Sequence, residues 1–282
     1  MKTGRGLALW LHSSKVDGRY RATGLAVSPW APTQVGGTAV CGLLARQAET
    51  HCPGTAFIPA RFTVDLFRPV LDEPIRLHSE VVRDGRRVRV IDASIVQHDQ
   101  VRARATVMYL AVTEQPPGQV WRAERQLPTP VRKLDGAEGD PPLFKSGDFD
   151  WTGDFASGQN SERKCAWHDI PSLVDGEPNS PFQLAAYVAD ATNMVCNWGT
   201  EGVGYINCDV TMTLSRLPEG PEVGLQAQDH VAADGVAIAA ATMYDRTGPL
   251  GMSVVTGISN ALRQVDLAAF AAAQSFPAPR PR

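Results

Sequence analysis

The sequence predicts an α+β fold made of two copies of one domain, each with a helix followed by an antiparallel sheet. The main observation is a repeat: residues 62–68 (FTVDLFR) and 210–216 (VTMTLSR) share a Thr-x-x-Leu-x-Arg pattern, with Thr63 and Thr211 148 residues apart. The same offset relates residues 75–77 to 223–225 and residues 94–96 to 242–244. A period this long exceeds the roughly 20–50 residues of solenoid repeats, so it indicates two fused domains. Chance similarity between two amphipathic strands, the alternative, does not explain several matches in one order.

Composition excludes several function classes. The chain has 282 residues, 43% of them apolar, which is typical of a globular protein, and its net charge of −3 gives no basic surface for nucleic acid or an anionic membrane. The five cysteines form no Cys-x-x-Cys pair and the histidines no His-x-x-x-His pattern, so we expect no disulfide framework, metal or cofactor. Neither a signal peptide nor an apolar run of about 20 residues is evident. We therefore expect a cytoplasmic protein that does not enter a membrane.

The first predicted helix follows two consecutive glycines. Gly36 and Gly37 precede residues 38–49, whose apolar positions Val40, Leu43 and Leu44 follow helical spacing. A helix start without side chains leaves backbone N–H groups accessible, and these could bind a thioester carbonyl or a phosphate. A tight turn packed against a strand would have the same sequence.

Four strands are predicted to follow, at residues 61–67, 75–82, 87–96 and 101–112, because apolar and polar residues alternate in each. Asp84 and Gly85 predict a two-residue hairpin between the second and third strands. Residues 98–100 make the next reversal.

Residues 114–162 are rich in proline and glycine and have no apolar period, which indicates a linker. We expect it to pack over the surface through four aromatic residues. The predicted organisation is an N-terminal repeat (1–113), this linker (114–162), a C-terminal repeat (163–263) and a tail (264–282). The aromatic residues are Trp121, Phe144, Phe149 and Trp151.

The second half restarts at residues 165–168 and repeats the pattern of one helix and several strands. Asn179 or Ser180 can cap a helix over residues 182–191, with Pro181 in its first turn. Strands are predicted at residues 205–215, 222–230, 236–244 and 251–258. The tail holds a short alanine-rich helix candidate, and residues 276–282 are expected to be disordered.

Several segments carry a resemblance to a known family. They are residues 30–37 (WAPTQVGG), 64–70 (VDLFRPV), 82–87 (VRDGRR), 171–177 (PSLVDGE), 205–211 (YINCDVT) and 244–251 (YDRTGPLG). In this order and spacing, over about residues 30–258 with the linker excluded, the chain resembles the thioesterase II-like acyl-CoA thioesterases. This resemblance implies a double-hotdog fold, in which a continuous sheet curls around two central helices.

The resemblance also implies catalytic residues. In this family an aspartate on the second central helix activates a water, and Asp190 matches it, while Asn207 takes the place of a polar residue on the following strand. A glutamine on the last strand has no counterpart, and the alignment leaves Val255 or Thr256 there; Thr256 is the polar candidate. Where many relatives have His-Gly-Gly, this chain has Val35 before its two glycines.

The chemistry of these residue types agrees with such a role. Asp190 lies in an apolar helix, where a carboxylate must be hydrogen-bonded or have a raised pKa, as a general base would. A satisfied structural carboxylate is the alternative. Asn207 can donate and accept hydrogen bonds, so it could orient water or the thioester carbonyl, or simply bond its own strand. Glu49, the other helix carboxylate, is expected to be a solvated helix-end residue.

The leading expectation is an acyl-CoA thioesterase whose substrate, a CoA or carrier-bound acyl thioester, contacts Gly36, Gly37, Trp198 and Tyr205. No cofactor is expected beyond the CoA of the substrate. Loss of the glutamine leaves two alternatives open: an acyl-binding protein without hydrolysis, and a biosynthetic dehydratase or cyclase. We also expect a homodimer or larger homo-oligomer. Arginines that could meet the CoA phosphates are Arg83, Arg86, Arg87 and Arg216.

Overall fold

Two central helices, one from each half, are surrounded by one sheet in the computed structural model, which describes residues 8–14, 19–135, 140–267 and 269–270. The apolar positions that predicted the first helix are buried. The second helix is capped by Ser180, which forms a capping box with Gln183, and Pro181 is its first residue. The predicted double-hotdog α+β fold is confirmed. The helices are α1 (Gly37–Glu49), α2 (Phe155–Gly158), α3 (Pro181–Asp190) and α4 (Thr192–Asn197).

The strands of the first half alternate buried and exposed residues, so that one face of the sheet contacts α1 and the other faces outward. All four predicted strands are present, preceded by two that the sequence did not reveal. The strands are β1 (Ala8–Ser14), β2 (Arg19–Ala22), β3 (Phe57–Asp65), β4 (Ile75–Asp84), β5 (Val88–Gln97) and β6 (Gln100–Ala111).

The second half extends the same sheet. Its strands are β7 (Leu143–Ser146), β8 (Lys164–His168), β9 (Ser172–Val174), β10 (Trp198–Gly199), β11 (Gly202–Val203), β12 (Tyr205–Asn207), β13 (Asp209–Leu214), β14 (Val223–Ala233), β15 (Val236–Asp245) and β16 (Gly248–Ser259). The order across the sheet is β7-β8-β14-β15-β16-β13-β3-β6-β5-β4-β2-β1-β9, with β12 also on β16, and β10 and β11 pair separately.

The two halves join at the strands that carry the sequence repeat. Strands β3 and β13 pair antiparallel, and Thr63 lies directly opposite Thr211, its counterpart in the repeat. Two equivalent residues can face each other in this way only where a two-fold axis passes between them. The repeat therefore corresponds to an approximate two-fold symmetry inside one chain, as in a symmetric dimer.

The turns confirm the reversal predicted at residues 98–100, correct the hairpin predicted at Asp84-Gly85, and add a tight hairpin that the sequence analysis did not predict. His98 and Asp99 connect β5 and β6, and Asp234 and Gly235 connect β14 and β15, with a positive φ at all four residues, as two-residue hairpins of this kind require. The two-residue hairpin predicted at Asp84-Gly85 is wrong. Strand β4 ends at Asp84 and β5 begins at Val88, so three residues form that connection.

The predicted linker is more ordered than its composition suggests. It contributes β7 and α2, and Phe144 is fully buried in the main core. Trp151 packs on a smaller cluster around Trp167 and Tyr244. Trp121 and Phe149 are exposed, so the prediction that they hold this segment to the surface is wrong. Of the tail, residues 268 and 271–282, which include most of the helix candidate and the segment expected to be disordered, lie outside the described residues.

Candidate active site

The carboxylate of Asp190, at the end of α3, is buried beside the start of α1. Its Oδ1 accepts a hydrogen bond from Asn207 Nδ2 at 2.9 Å, and Asn207 itself lies on β12. Asn207 Nδ2 also lies 3.3 Å from the carbonyl oxygen of Asp209, which fixes the direction of the amide. Among the described residues, Oδ2 has no hydrogen-bond partner. One oxygen is therefore held in place and the other is available to a ligand.

The glycine at the start of α1 makes this approach possible. A Cβ atom added to Gly37 would lie 2.5 and 2.6 Å from the two oxygens of Asp190, which is closer than any real contact. Within the described part of the chain, the N–H groups of Gly37 and Thr38 in the first helical turn have no acceptor, because the helix provides none and Gly36 has no side chain to cap them. The carboxylate thus lies next to unpaired backbone donors.

Burial dominates the electrostatics of this site. It raises the pKa of Asp190 to about 6, although the hydrogen bond from Asn207 lowers it. The charge of Asp190 in turn reaches two neighbours, Cys41 on α1 and Tyr187 on α3, whose pKa values are raised mainly by their own burial. Near neutral pH, Asp190 is consequently close to the midpoint of its titration, which suits a group that accepts and returns a proton.

At the opposite ends of the two helices, a carboxylate also lies beside the start of the other helix, but there both of its oxygens are hydrogen-bonded. Glu49, at the end of α1, is half-buried at the start of α3, where Ser180 Oγ donates to its carboxylate at 2.7 Å and Gln183 Nε2 donates at 2.6 Å. The expectation that Glu49 is a solvated helix-end residue is therefore wrong. Ser180 and Gln183 donate hydrogen bonds to both oxygens of the Glu49 carboxylate, whereas the glycines at the start of α1 have no side chain that could donate to Asp190. Of the two ends, the one at Asp190 therefore keeps a carboxylate oxygen without a partner.

Thr256 does not join this cluster. It pairs with Ile238, which is exposed, and its own side chain is exposed on the outer face of the sheet. Val255 is on the inner face and fully buried, so of the two residues considered for the place of the family glutamine, the one that faces inward is apolar. Ser253 is also on the inner face, and its hydroxyl donates to the carbonyl oxygen of Ala189 at 3.0 Å, which holds the end of α3 against the sheet.

The two aromatic candidates lie farther along the chain. Trp198 is buried, and its ring packs against Phe144 and Phe155. Tyr205 begins the strand that carries Asn207, and its backbone oxygen accepts a hydrogen bond from Asn193 at 3.1 Å. The structure thus connects Tyr205 to the site through its backbone and places Trp198 in the core.

The candidate phosphate-binding arginines include one that is not available. Both terminal nitrogens of Arg216 bind the buried carboxylate of Asp245, at 2.8 and 2.7 Å, so this residue is structural. The ion pair also keeps the pKa of Asp245 well below its usual range despite burial. Arg83, Arg86 and Arg87 are exposed near the turn between β4 and β5. Val35, which precedes the two glycines, is buried and adds no polar group.

The sequence did not indicate four residues near this site. Asn193 follows Asp190 by three positions, a helical spacing that could have revealed it, and Tyr187 precedes Asp190 by the same distance. Cys41 and His230 could not be found in this way, because the packing of α1 on α3 and of α4 on β14 brings them close.

Comparison with known families identifies the chain. A family model described as the acyl-CoA thioesterase N-terminal domain matches residues 26–110, and one described as the acyl-CoA thioesterase C-terminal domain matches residues 114–258, more than half of the chain. The chain belongs to the acyl-CoA thioesterase family. It is accordingly a thioester hydrolase, as expected from the resemblance.

Solved structures agree on the fold. The TesB protein of Mycobacterium avium subspecies paratuberculosis is 16% identical, with a TM-score of 0.62 over 89% of this chain and 94% of that one. Acyl-CoA thioesterase II TesB2 of Mycobacterium marinum is 16% identical, with a TM-score of 0.59 over 88% and 95%. A hot dog protein of unknown function from Alicyclobacillus acidocaldarius is 14% identical, with a TM-score of 0.61 over 87% and 94%. No curated protein matches the sequence.

In this thioesterase, no helix of the described residues is long and apolar enough to cross a membrane.

Proposed function

We propose that this thioesterase hydrolyses acyl-CoA by activating a water molecule with Asp190. The observation that carries the proposal is the Asp190 carboxylate itself: it is buried, oriented through one oxygen by Asn207, and unpaired at the other. A structural carboxylate at this depth would be expected to have both oxygens satisfied, as Glu49 does.

In this mechanism Asp190 takes a proton from water while the water oxygen attacks the thioester carbonyl carbon. The carbonyl oxygen becomes an oxyanion, and the N–H groups of Gly37 and Thr38 are positioned at the helix start to donate to it. When the carbon–sulfur bond breaks, the proton on Asp190 passes to the departing CoA sulfur. The products are a carboxylic acid and free CoA, and no metal or other cofactor takes part.

Purified protein incubated with short-, medium- and long-chain acyl-CoAs tests this substrate class by release of free thiol. We expect hydrolysis above the uncatalysed rate for at least one chain length. A protein that hydrolyses acyl-carrier-protein thioesters but none of the acyl-CoAs would contradict the proposed substrate. A protein that releases thiol from neither would contradict the hydrolytic mechanism at Asp190.

The pH dependence of kcat/KM should report the pKa of Asp190. Because the base must be ionised, we expect kcat/KM to rise with pH through an apparent pKa of about 6 and to level off above about pH 7. Initial rates between pH 4.5 and 8.5 provide the measurement. A rate that stays constant down to pH 5 would contradict a base with a raised pKa.

Self-association stays a prediction for this thioesterase. Sheet edges and helix faces are the surfaces through which such units would pair. Light scattering should give a mass of at least twice 30.4 kDa. A mass near 30.4 kDa at working concentration would contradict the expected oligomer.

A further inference from the structure

Two asparagines and a histidine form a hydrogen-bonded chain beside the proposed site. Asn193 Nδ2 donates to the carbonyl oxygen of Tyr205 at 3.1 Å, and Asn197 Nδ2 donates to Asn193 Oδ1 at 2.8 Å. His230 Nε2 lies 2.9 Å from Asn197 Oδ1. Both amides are buried on α4, whereas His230 is exposed on β14.

The carbonyl group of Tyr205, at one end of this chain, determines which atom is the donor in each hydrogen bond. The Tyr205 carbonyl can only accept, so Asn193 must present its NH₂ group there and its oxygen to Asn197. Asn197 is fixed in the same sense, which leaves its oxygen facing His230. His230 must therefore carry a proton on Nε2, in the neutral and in the charged form alike.

The Tyr205 carbonyl depends on this chain because it points away from the neighbouring strand. On either side of β12, the Gly204 oxygen accepts from Asn260 N and Cys208 N donates to the Thr256 oxygen, so the even-numbered residues face β16. Within the described residues, Asn193 is the partner that the Tyr205 oxygen finds on the other side.

Helix and strand are thus joined at two points. Asp190 accepts from Asn207, and Asn193, one helical turn later, donates to Tyr205, two residues before Asn207 on the same strand. The tyrosine ring also meets the His230 ring edge-on, with the centroids 5.9 Å apart. His230 therefore supports both the amide chain and the side chain at the start of β12.

We propose that His230, through Asn197 and Asn193, is a positioning residue that holds β12 so that Asn207 donates to Asp190. The proposal rests on the function proposed above, but its direct consequence concerns the Asn207–Asp190 bond and can be measured without turnover. If the chain is broken, β12 can shift from α3, and the bond to the carboxylate weakens. Less stabilisation of the ionised carboxylate means a higher pKa for Asp190 and a poorer base orientation.

The test compares wild type, His230→Phe, Asn207→Ala and the double variant. Phenylalanine keeps an aromatic ring against Tyr205 and removes the donor. The carboxyl ¹³C resonance of Asp190, identified as the one lost in Asp190→Asn, is followed by NMR as a function of pH, and kcat and KM are measured with acyl-CoA. Cys41 and Tyr187, the titratable groups that the charge of Asp190 reaches, both have raised pKa values and stay neutral between pH 4 and 8, so they do not interfere with the titration of Asp190.

We expect His230→Phe to raise the pKa of Asp190 by about 0.5 and to lower kcat about tenfold with little change in KM, as the loss of one oriented hydrogen bond implies. Both effects should be absent when Asn207 is already alanine. His230→Gln, which restores a donor, should recover most of the loss. Asn193→Leu, which removes the donor closest to β12, should reproduce both effects. His78→Phe, the same change at an exposed strand position of the other half, is the matched control.

The proposal is contradicted if His230→Phe leaves both the pKa and kcat at their wild-type values. It is equally contradicted if the effects are as large in the Asn207→Ala background, because His230 would then not act through Asn207. If wild type hydrolyses no acyl-CoA, the proposed function fails, and the pKa of Asp190 alone decides the positioning proposal.

Discussion

Asp190→Asn is expected to lower kcat with acyl-CoA about 10³-fold, within the range that general-base catalysis usually contributes. The asparagine oxygen can still accept the hydrogen bond from Asn207, so the geometry around β12 should persist. What is lost is the ability to take a proton from water. Thiol release under saturating substrate provides the measurement, with His78→Phe as a variant remote from the site.

The same variant should be more stable than wild type, which separates loss of a base from loss of the fold. Burial raises the pKa of Asp190 from 3.8 to about 6, so the ionised carboxylate costs the folded state on the order of 2–3 kcal/mol above pH 6, and this cost disappears below pH 4. Asp190→Asn should therefore unfold at a temperature about 5–10 °C higher at pH 8 and near the wild-type temperature at pH 4. An inactive variant with a lowered melting temperature at pH 8 would point to a structural role.

Gly37→Ala is expected to lower kcat about 10²-fold although it adds only one methyl group. That methyl would lie about 2.5 Å from both oxygens of Asp190, and the short aspartate side chain cannot move aside without leaving Asn207. Displacements of about 1 Å in a catalytic group typically cost about this much. Alanine also has a higher helix propensity than glycine, by up to about 1 kcal/mol of folding free energy, so the fold should tolerate the change. Thiol release and circular dichroism provide the measurements.

Gly36→Ala is the matched comparison. Its added Cβ would meet the nearest atom, the Ala26 oxygen, at 3.6 Å, which is an ordinary contact, and the N–H group of Gly36 is already bonded to that oxygen. We expect a much smaller loss of kcat than for Gly37→Ala. Equal losses in the two variants would mean that the start of α1 is sensitive to any side chain and that proximity to Asp190 is not the cause.

Much of the fold could be predicted because its elements have strong local signals. Helix α1 has regular apolar spacing, α3 has a serine cap with a following proline, and Asp234-Gly235 has the residues that a tight hairpin needs. The repeat then predicted the symmetry, which the structure shows at the Thr63–Thr211 pair. The same dipeptide failed at Asp84-Gly85, where a β-bulge between Val81 and Arg83 and a three-residue connection change the register.

Elements that depend on distant partners were missed. Strand β9 has three residues, too few to show an alternation, and it exists because it pairs with β1 more than 150 residues earlier. Strand β7 lies in a segment rich in proline and glycine, and the buried ring of Phe144 holds it in the core. Local composition does not contain this information.

At the site, the sequence indicated which residues have suitable chemistry, but not which way their side chains point. Asp190 and Asn207 were both candidates, and the structure brings them within 2.9 Å, while their roles stay proposals. Thr256 was chosen over Val255 because it is polar, but strand alternation directs it outward. Glu49 looked like an ordinary helix end because the antiparallel contact of α1 with α3, which brings it to Ser180, is not encoded within either helix.

The central claim is that water activated by Asp190 attacks the thioester directly. A single turnover in H₂¹⁸O, with enzyme in excess over an acyl-CoA and the acid analysed by mass spectrometry, tests it most directly. Direct attack predicts one ¹⁸O atom in the product acid from the first turnover onward. A first-turnover acid without ¹⁸O, with the label recovered in Asp190, would show that the carboxylate attacks as a nucleophile and would contradict the account.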